Sequence, residues 1–230
     1  MTRILVSTSL FYYNKSSEKY NKLYKNIINS LDIFKNYQTD VVIYYDETVP
    51  DFIINDVKQY KNVILSKKNK SNNREGCFWR YEAYDDYDYD IYLFRDIDIP
   101  LEKNDVFAIE HFINSENKIF YCFIVHKKRS DYPKQAFIMG GIFGMKKNCI
   151  PSIKQLLENY KTKNRLEHYG SDEEFLAKEL YILNPPLVFI EPRVQRHNKV
   201  KLDNTFFNKL NLKNDYETYI IFENDYELKY

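Results

Sequence analysis

Two aspartates one residue apart, Asp96 and Asp98 in Arg95-Asp-Ile-Asp98, directly follow the β-type run Ile91-Tyr-Leu-Phe94. The carboxyl end of a strand is where open α/β sheets bind ligands. The two-residue period of extended backbone would send both carboxylates to one face. Converging carboxylates repel and raise one another's pKa unless a cation lies between them. A hard divalent ion held by one or two carboxylates and phosphate oxygens relieves that repulsion. The competing expectation is a solvated turn ahead of Pro100, because aspartate is common in turns and Asp85, Asp86, Asp88 and Asp90 stand just upstream. Position favours the first, since the pair comes after the strand. Gly140 and Gly141 sit in an apolar, strand-like run of a chain with only 5 glycines. They imply either a backbone that passes close to a ligand or a β-bulge. His111, His126 and His168 show no metal-ligand spacing with one another and receive no role.

The elements that must position these residues read as alternating strands and helices. Arg3–Ser9 is a short apolar run closed by small hydroxyl residues, a first buried strand. Tyr20, Leu23, Tyr24, Ile27, Ile28, Leu31 and Phe34 recur at helical spacing. Asp40–Tyr45 is a second strand, Asp51–Tyr60 a short helix after Pro50, and Val63–Leu65 a third strand. Lys67–Asn73 is polar and aperiodic, a surface loop placed as a lid or spacer beside the site. Glu75–Tyr84 carries Phe78, Trp79, Ala83 and Tyr84 at helical spacing, ahead of the strand Ile91–Phe94. A helix near Val106–Asn114 and strands at Ile119–Val125 and Ala136–Met145 follow. Ser171-Asp-Glu-Glu174 fits a capping box that opens a helix, and Leu187–Ile190 reads as the last strand. The pattern predicts an α/β fold with a doubly wound, mostly parallel sheet flanked by helices. Residues 1–198 form one domain and residues 199–230 a C-terminal extension.

Composition narrows the function classes. The chain has 230 residues with 34 Lys+Arg against 33 Asp+Glu, a formal net charge of +1. That balance supplies no field to attract nucleic acid by default. No run approaches the roughly 18 consecutive apolar residues of a membrane span, and MTRILVSTSL is too short and polar for a signal peptide. Cys77, Cys122 and Cys149 are widely spaced, which argues against a disulfide framework or a zinc knuckle. The expectation is a soluble protein of a reducing compartment, the cytoplasm. The abundance of Tyr, Asn, Lys and Ile and the scarcity of Ala reflect an AT-rich coding sequence, as in a virus or a low-GC bacterium; a viral chain would act in the host cytoplasm.

Trp79-Arg80-Tyr81, about fifteen residues before Leu93-Phe-Arg-Asp-Ile-Asp98, resembles the W-R-F … R-D-x-D pattern of small GT-A-fold, Asp-x-Asp-containing glycosyltransferases. That family includes members from large DNA viruses. Ile4–Leu10 with its following helix resembles the family's opening strand and helix, and Val41–Asp46 with Val49-Pro50 its second strand and turn. Met139–Gly144 resembles G-G-x-[WF]-G, and Tyr169–Leu176 resembles Y-G-x-D-Q-x-F-L. The resemblance spans roughly residues 3 to 195. It departs where Glu173 replaces the family's Gln, and where a His-rich segment is reduced to His126 ahead of Lys127-Lys128-Arg129.

The resemblance implies a metal-dependent glycosyltransferase with a GT-A-like, mostly parallel sheet. It moves a sugar, a hexose or deoxyhexose, from a nucleotide-sugar donor to a glycan or glycoprotein acceptor, with UDP as the expected nucleotide. Asp96 and Asp98, with a late His197, would hold Mn²⁺ or Mg²⁺ against the donor diphosphate. Thr8 and Ser9 at the end of the first strand would contact base or ribose. Arg80 would face the donor, unless it is a surface arginine. Arg95 would pair with phosphate or sugar hydroxyls, unless it forms a structural ion pair. Gly140 and Gly141 would expose backbone amides to the sugar, and Arg196 would meet phosphate. Asp172 is the candidate general base, taking the acceptor hydroxyl's proton. Its alternative role is that of an acid favoured by the helix dipole in a first turn.

Two other classes compete. Nucleotidyltransferases and metal nucleases also use paired aspartates on α/β scaffolds, but want a third carboxylate and, for a polynucleotide, a basic track. A non-catalytic, glycan-binding relic of the fold would suit the aromatic content, although the intact Asp-x-Asp argues against decay.

Overall fold

The computed structural model describes residues 1–12, 23–69, 74–116, 119–123, 140–164, 166, 170–180, 183, 187–190, 218–221 and 228–229. Strand β1 (Arg3–Leu10) is buried along nearly its whole length, without the alternation of a half-solvated strand. Both its faces are therefore covered, as in parallel sheets. Helix α1 (Lys25–Ser30) follows and tightens into a 3₁₀ turn at Leu31–Phe34. Then come β2 (Gln38–Tyr45), α2 (Asp51–Val57) and β3 (Val63–Lys67). The segment expected as one helix from Glu75 is broken into α3 (Gly76–Trp79), a 3₁₀ turn (Arg80–Glu82) and α4 (Ala83–Asp86). Strand β4 (Ile91–Arg95), helix α5 (Lys103–Asn114), β5 (Ile119–Phe123) and β6 (Ile142–Lys146) come next. They lead to α6 (Ile153–Lys161), α7 (Ser171–Phe175) with a π-helical continuation at Leu176–Leu180, and β7 (Leu187–Ile190).

Strand β7 is not the last. Strands β8 (Thr218–Ile221) and β9 (Leu228–Lys229) extend the sheet from within the C-terminal extension. Among the described residues the sheet has nine strands in the order β3-β2-β1-β4-β6-β5-β7-β8-β9. Strand β1 pairs in parallel with β2 and β4. Strand β6 runs antiparallel between β4 and β5, and β7 is parallel to β5 and β8. The progression β3-β2-β1 reverses at β4, so a topological switch point lies between the carboxyl ends of β1 and β4. Ligands of open α/β sheets bind at such a point.

One face of the sheet buries Ile4, Val6, Val41, Ile43 and Leu93 against Ile27 and Ile28 of α1, Ile53 of α2 and Phe112 of α5. The other buries Leu5, Val42, Tyr92 and Phe94 against Phe78, Tyr81, Leu157, Tyr160 and Phe175. Tyr81 is the hub of this second cluster, with its ring centroid 5.6 Å from Phe94, 5.6 Å from Phe143 and 6.0 Å from Phe175.

Helix α7 starts differently from the expected capping box. Gly170, at φ +84°, takes the cap position, and its carbonyl accepts from Glu174 N at 2.9 Å. Glycine adopts that left-handed backbone without steric cost. The helix therefore begins at Ser171, and Glu174 pairs forward with Lys178 at 2.5 Å. The first-turn acid Asp172 is thereby aimed back toward the end of β4.

Candidate functional site

The segment that carries Trp79-Arg80-Tyr81 is fastened to β1 through its backbone. Ser7 Oγ donates to the Arg80 carbonyl at 2.6 Å, and Arg80 N donates to Ser9 Oγ at 3.1 Å. Ser7 and Ser9 lie on one face of β1 by the two-residue period. The expected ligand contact Ser9 thus has a structural partner in Arg80. Thr8, between them and facing the opposite side of the sheet, is fully buried, with no hydrogen-bond partner for its Oγ1 among the described residues. A 3₁₀ turn within a helix is a common device at functional positions, and here it begins at Arg80.

Arg80 is no surface arginine. Its side chain is 5% exposed and bridges two acids: Nη1 donates to Asp96 Oδ1, and Nη2 donates to Asp172 Oδ2 at 2.8 Å. The guanidinium also lies 5.4 Å from the centroid of the Tyr81 ring, and its Nε has no partner among the described residues. Burial works against its charge, but Tyr81, Asp96 and Asp172 outweigh burial and hold it protonated. Tyr81 OH is 3.4 Å from both Asp172 Oδ2 and the Gly140 carbonyl. Burial, reinforced by Asp172, raises its pKa well above the usual phenol value, so it stays a donor.

The glycine pair closes over this cluster. A Cβ on Gly140 would stand 2.3 Å from Asp172 Oδ2 and 2.9 Å from Arg80 Nη2. One on Gly141 would stand 2.3 Å from Asp96 Cγ. Both glycines are pressed against protein carboxylates, a close approach beside the two reasons the sequence offered, a nearby ligand or a β-bulge. The last rung between the strands is Asp96 N to the Gly141 carbonyl at 3.3 Å. Beyond it the chain turns, with Ile99 N donating to the Asp96 carbonyl at 3.2 Å. Asp96 and Asp98 are therefore turn residues, not two extended residues on one strand face, and the turn sits at the switch point. The Asp98 carbonyl accepts from Asn26 Nδ2 at 2.9 Å, which ties the turn to α1.

Arg95 forms the structural ion pair. Its guanidinium faces α5 and meets Asp105 through two bonds, at 2.7 and 3.3 Å. Asp105 also accepts from Glu102 N at 2.8 Å, completing a capping box at the start of α5. Arg196 and His197 lie outside the described residues, as do residues 70–73 of the expected lid and residues 136–139 ahead of the glycine pair.

Among the described residues Asp96 and Asp172 share the Arg80 guanidinium at the mouth of the sheet, and Asp98 stands on the same turn as Asp96. The Asp96 side chain is 46% exposed, whereas Asp172 is 14% exposed. Hard oxygen donors with an accessible edge fit a Mg²⁺ or Mn²⁺ ion that completes its shell with phosphate oxygens and water. Among the described residues no group of three or more His, Cys, Asp or Glu could by itself hold a metal ion.

No protein-family model matches the chain, and no curated protein matches it. Solved structures do. TarS 1–349 of S. aureus aligns at a TM-score of 0.53 and 15% identity, over 82% of this chain and 58% of that one. The galactosyltransferase LgtC, solved with donor and acceptor sugar analogs, aligns at 0.57 and 10% identity over 92% and 83%. A 4-diphosphocytidyl-2C-methyl-D-erythritol synthase from Anaerococcus prevotii aligns at 0.51 and 11% identity over 82% and 87%. The fold is GT-A-like. At these identities the likeness establishes architecture. The chain spans little more than half of TarS 1–349.

Within that fold the structure unites Arg80, Asp96, Asp172, Gly140 and Gly141, with Asp98 on the same turn, and Ser9 through the Arg80 backbone. It sets Arg95 apart. Sequence reasoning missed Ser7 and Tyr81, although Ser7 shares the strand face of Ser9 and Tyr81 follows Arg80 directly. A separate hollow of about 300 Å³, lined by Lys68, Glu75, Phe78, Trp79, Glu82 and Lys161, flanks α3. Its lysines are paired, Lys68 with Glu82 at 2.5 Å and Lys161 with Glu75 at 3.2 Å. No helix of the described residues is long and apolar enough to cross a membrane.

Proposed function

We propose that the protein is a metal-dependent glycosyltransferase that moves a hexosyl or deoxyhexosyl group from a UDP-linked donor to a glycan or glycoprotein acceptor. One observation carries the reading. A partly exposed carboxylate, Asp96, lies at the switch point of a GT-A-like sheet, with a buried arginine joining it to Asp172 behind. The fold is similar to that of TarS, which has been solved with UDP-GlcNAc. Asp96 and Asp98 would hold Mn²⁺ or Mg²⁺, with His197 a further donor. The ion would supply neutralisation of the charge that builds on the departing nucleoside diphosphate.

The chain's own residues do the rest. Among the described residues the polar contacts of the Asp172 side chain fall on Oδ2, through Arg80 and Tyr81. Oδ1 is left to receive the acceptor hydroxyl's proton, the task of a general base. Arg80 and Tyr81 fix the carboxylate's direction, and Thr8 and Ser9 mark the end of β1 where the nucleoside would lie. Arg196 would meet phosphate.

A thermal-shift screen of nucleotides and nucleotide-sugars, with and without Mn²⁺, tests the proposal. A donor at 100 times its Kd stabilises by about 2.7 kcal/mol, and the expected hit is a UDP-sugar whose shift requires the ion. A response confined to CTP or another nucleoside triphosphate would move the reading to nucleotidyl transfer. No response to any nucleotide would leave a non-catalytic member of the fold.

A further inference from the structure

Arg80 stands where a rigid cation can weigh one end of the site against the other. Its backbone is tied to Ser7 and Ser9, and its guanidinium is nearly excluded from water. It therefore cannot swing out when a ligand arrives. It is shared between a half-exposed carboxylate, Asp96, and a largely buried one, Asp172, with the two glycines pressed against both. We propose that Arg80 is a positioning residue that couples the Asp96 turn to Asp172: its guanidinium holds Asp96 in the empty site, and it settles on Asp172 when Asp96 is given over to a divalent cation. This rests on the metal-dependent reading above.

The physical reason is competition for one carboxylate. Two cations on Asp96 repel each other, so the hold of Arg80 on Asp96 opposes cation binding there. Asp172 draws the guanidinium the other way and lowers that opposition. Coupling of this kind is reciprocal. Occupation of Asp96 frees Arg80 to fix Asp172 more firmly, so the base is best oriented when the donor end of the site is filled.

The test is Mn²⁺ binding to the full chain, followed by the loss of the free-ion electron paramagnetic resonance signal, with no substrate turnover involved. Arg80→Gln should tighten Mn²⁺ by about tenfold, and Asp172→Asn should weaken it by about threefold, ordinary sizes for coupled neighbours. In the double variant the weakening by Asp172→Asn should vanish, because Arg80 transmits it. Unchanged affinity in Arg80→Gln would overturn the inference. So would a weakening of full size in the double variant, which would mean that Asp172 acts directly on the ion. Should Arg80→Gln fail to fold, the wild type serves. The Arg80 guanidinium resonances, assigned through their loss in Arg80→Lys, should shift on Mg²⁺ titration, and their constancy at Mg²⁺ saturation would overturn the coupling. If neither wild type nor any variant binds Mn²⁺, even with UDP present, the metal-dependent reading falls and the coupling with it. Binding that ignores Arg80 removes the coupling alone.

Discussion

Asp172 Oδ2 occupies the space where residue 140 would carry a side chain: a Cβ on Gly140 would stand 2.3 Å from that oxygen. The oxygen is pinned by Arg80 and Tyr81, so it cannot give way cheaply. Gly140→Ala is expected to lower stability by about 1–3 kcal/mol, the usual cost of forcing extra volume into a packed interior. Urea denaturation measures it. An unchanged midpoint would show that the cluster is looser than its contacts imply.

Ser7→Ala removes the hydroxyl that donates to the buried Arg80 carbonyl at 2.6 Å. An acceptor left without its partner in a buried place costs about 1–3 kcal/mol. Because that bond also fixes where the Arg80 segment sits, amide exchange should quicken in the 3₁₀ turn at residues 80–82 ahead of the sheet. Uniform exchange across the chain would argue against the tether.

The Arg95–Asp105 pair gives the opposite control. Both side chains are largely buried, at 5% and 13% exposure. Asp105→Ala strips a buried guanidinium of its carboxylate and opens the cap of α5, at a cost of about 3–5 kcal/mol. Nucleotide affinity of the folded fraction should be unaltered, since this pair faces α5 and not the Asp172 cluster. A selective loss of nucleotide binding would return Arg95 to the donor site.

Cys77 is one turn of helix before Tyr81 and is pushed up to about 12, first by burial and then by Asp172 and Asp96, with Arg80 pulling the other way. The thiolate is the reactive form, so alkylation by iodoacetamide should be slow at pH 8. Its rate should climb about tenfold per pH unit through pH 10 without a plateau. A plateau near pH 9 would mean an ordinary, solvated thiol.

Much of the fold was legible because parallel strands announce themselves. Ile4–Val6, Val41–Ile43 and Ile91–Phe94 are continuous β-type runs, and each is a buried strand. The Asp96–Asp98 pair was singled out from its place after such a run, although that place argued for extended backbone and the pair lies in a turn. Three matters were not legible. Helical spacing at Glu75–Tyr84 does not reveal that Ser7 and Ser9 capture the Arg80 backbone and tighten the helix there. The function of the two glycines could not be separated from ligand approach, because the carboxylates that need the room, Asp172 at Gly140 and Asp96 at Gly141, are distant in sequence. Ser171-x-x-Glu174 matched a capping box, but the left-handed Gly170 is a better terminator and displaced the start by one residue. The strand at Thr218–Ile221 has a β-type core, Thr-Tyr-Ile-Ile, yet lies in a stretch whose overall periodicity is weak.

Asp96 and Asp98 are proposed to form the cation-dependent grip on a nucleoside diphosphate. Asp98→Asn removes one charge while the turn keeps its tether, since Asn26 bonds the backbone carbonyl, and Arg80 keeps both its acids. The decisive measurement is calorimetric titration of UDP into wild type and Asp98→Asn, each with and without Mn²⁺. The account predicts that Mn²⁺ tightens UDP binding to the wild type by about tenfold or more, at least 1.4 kcal/mol, and that Asp98→Asn abolishes this gain without unfolding the protein. Equal Mn²⁺-dependent affinity in the two proteins would contradict it.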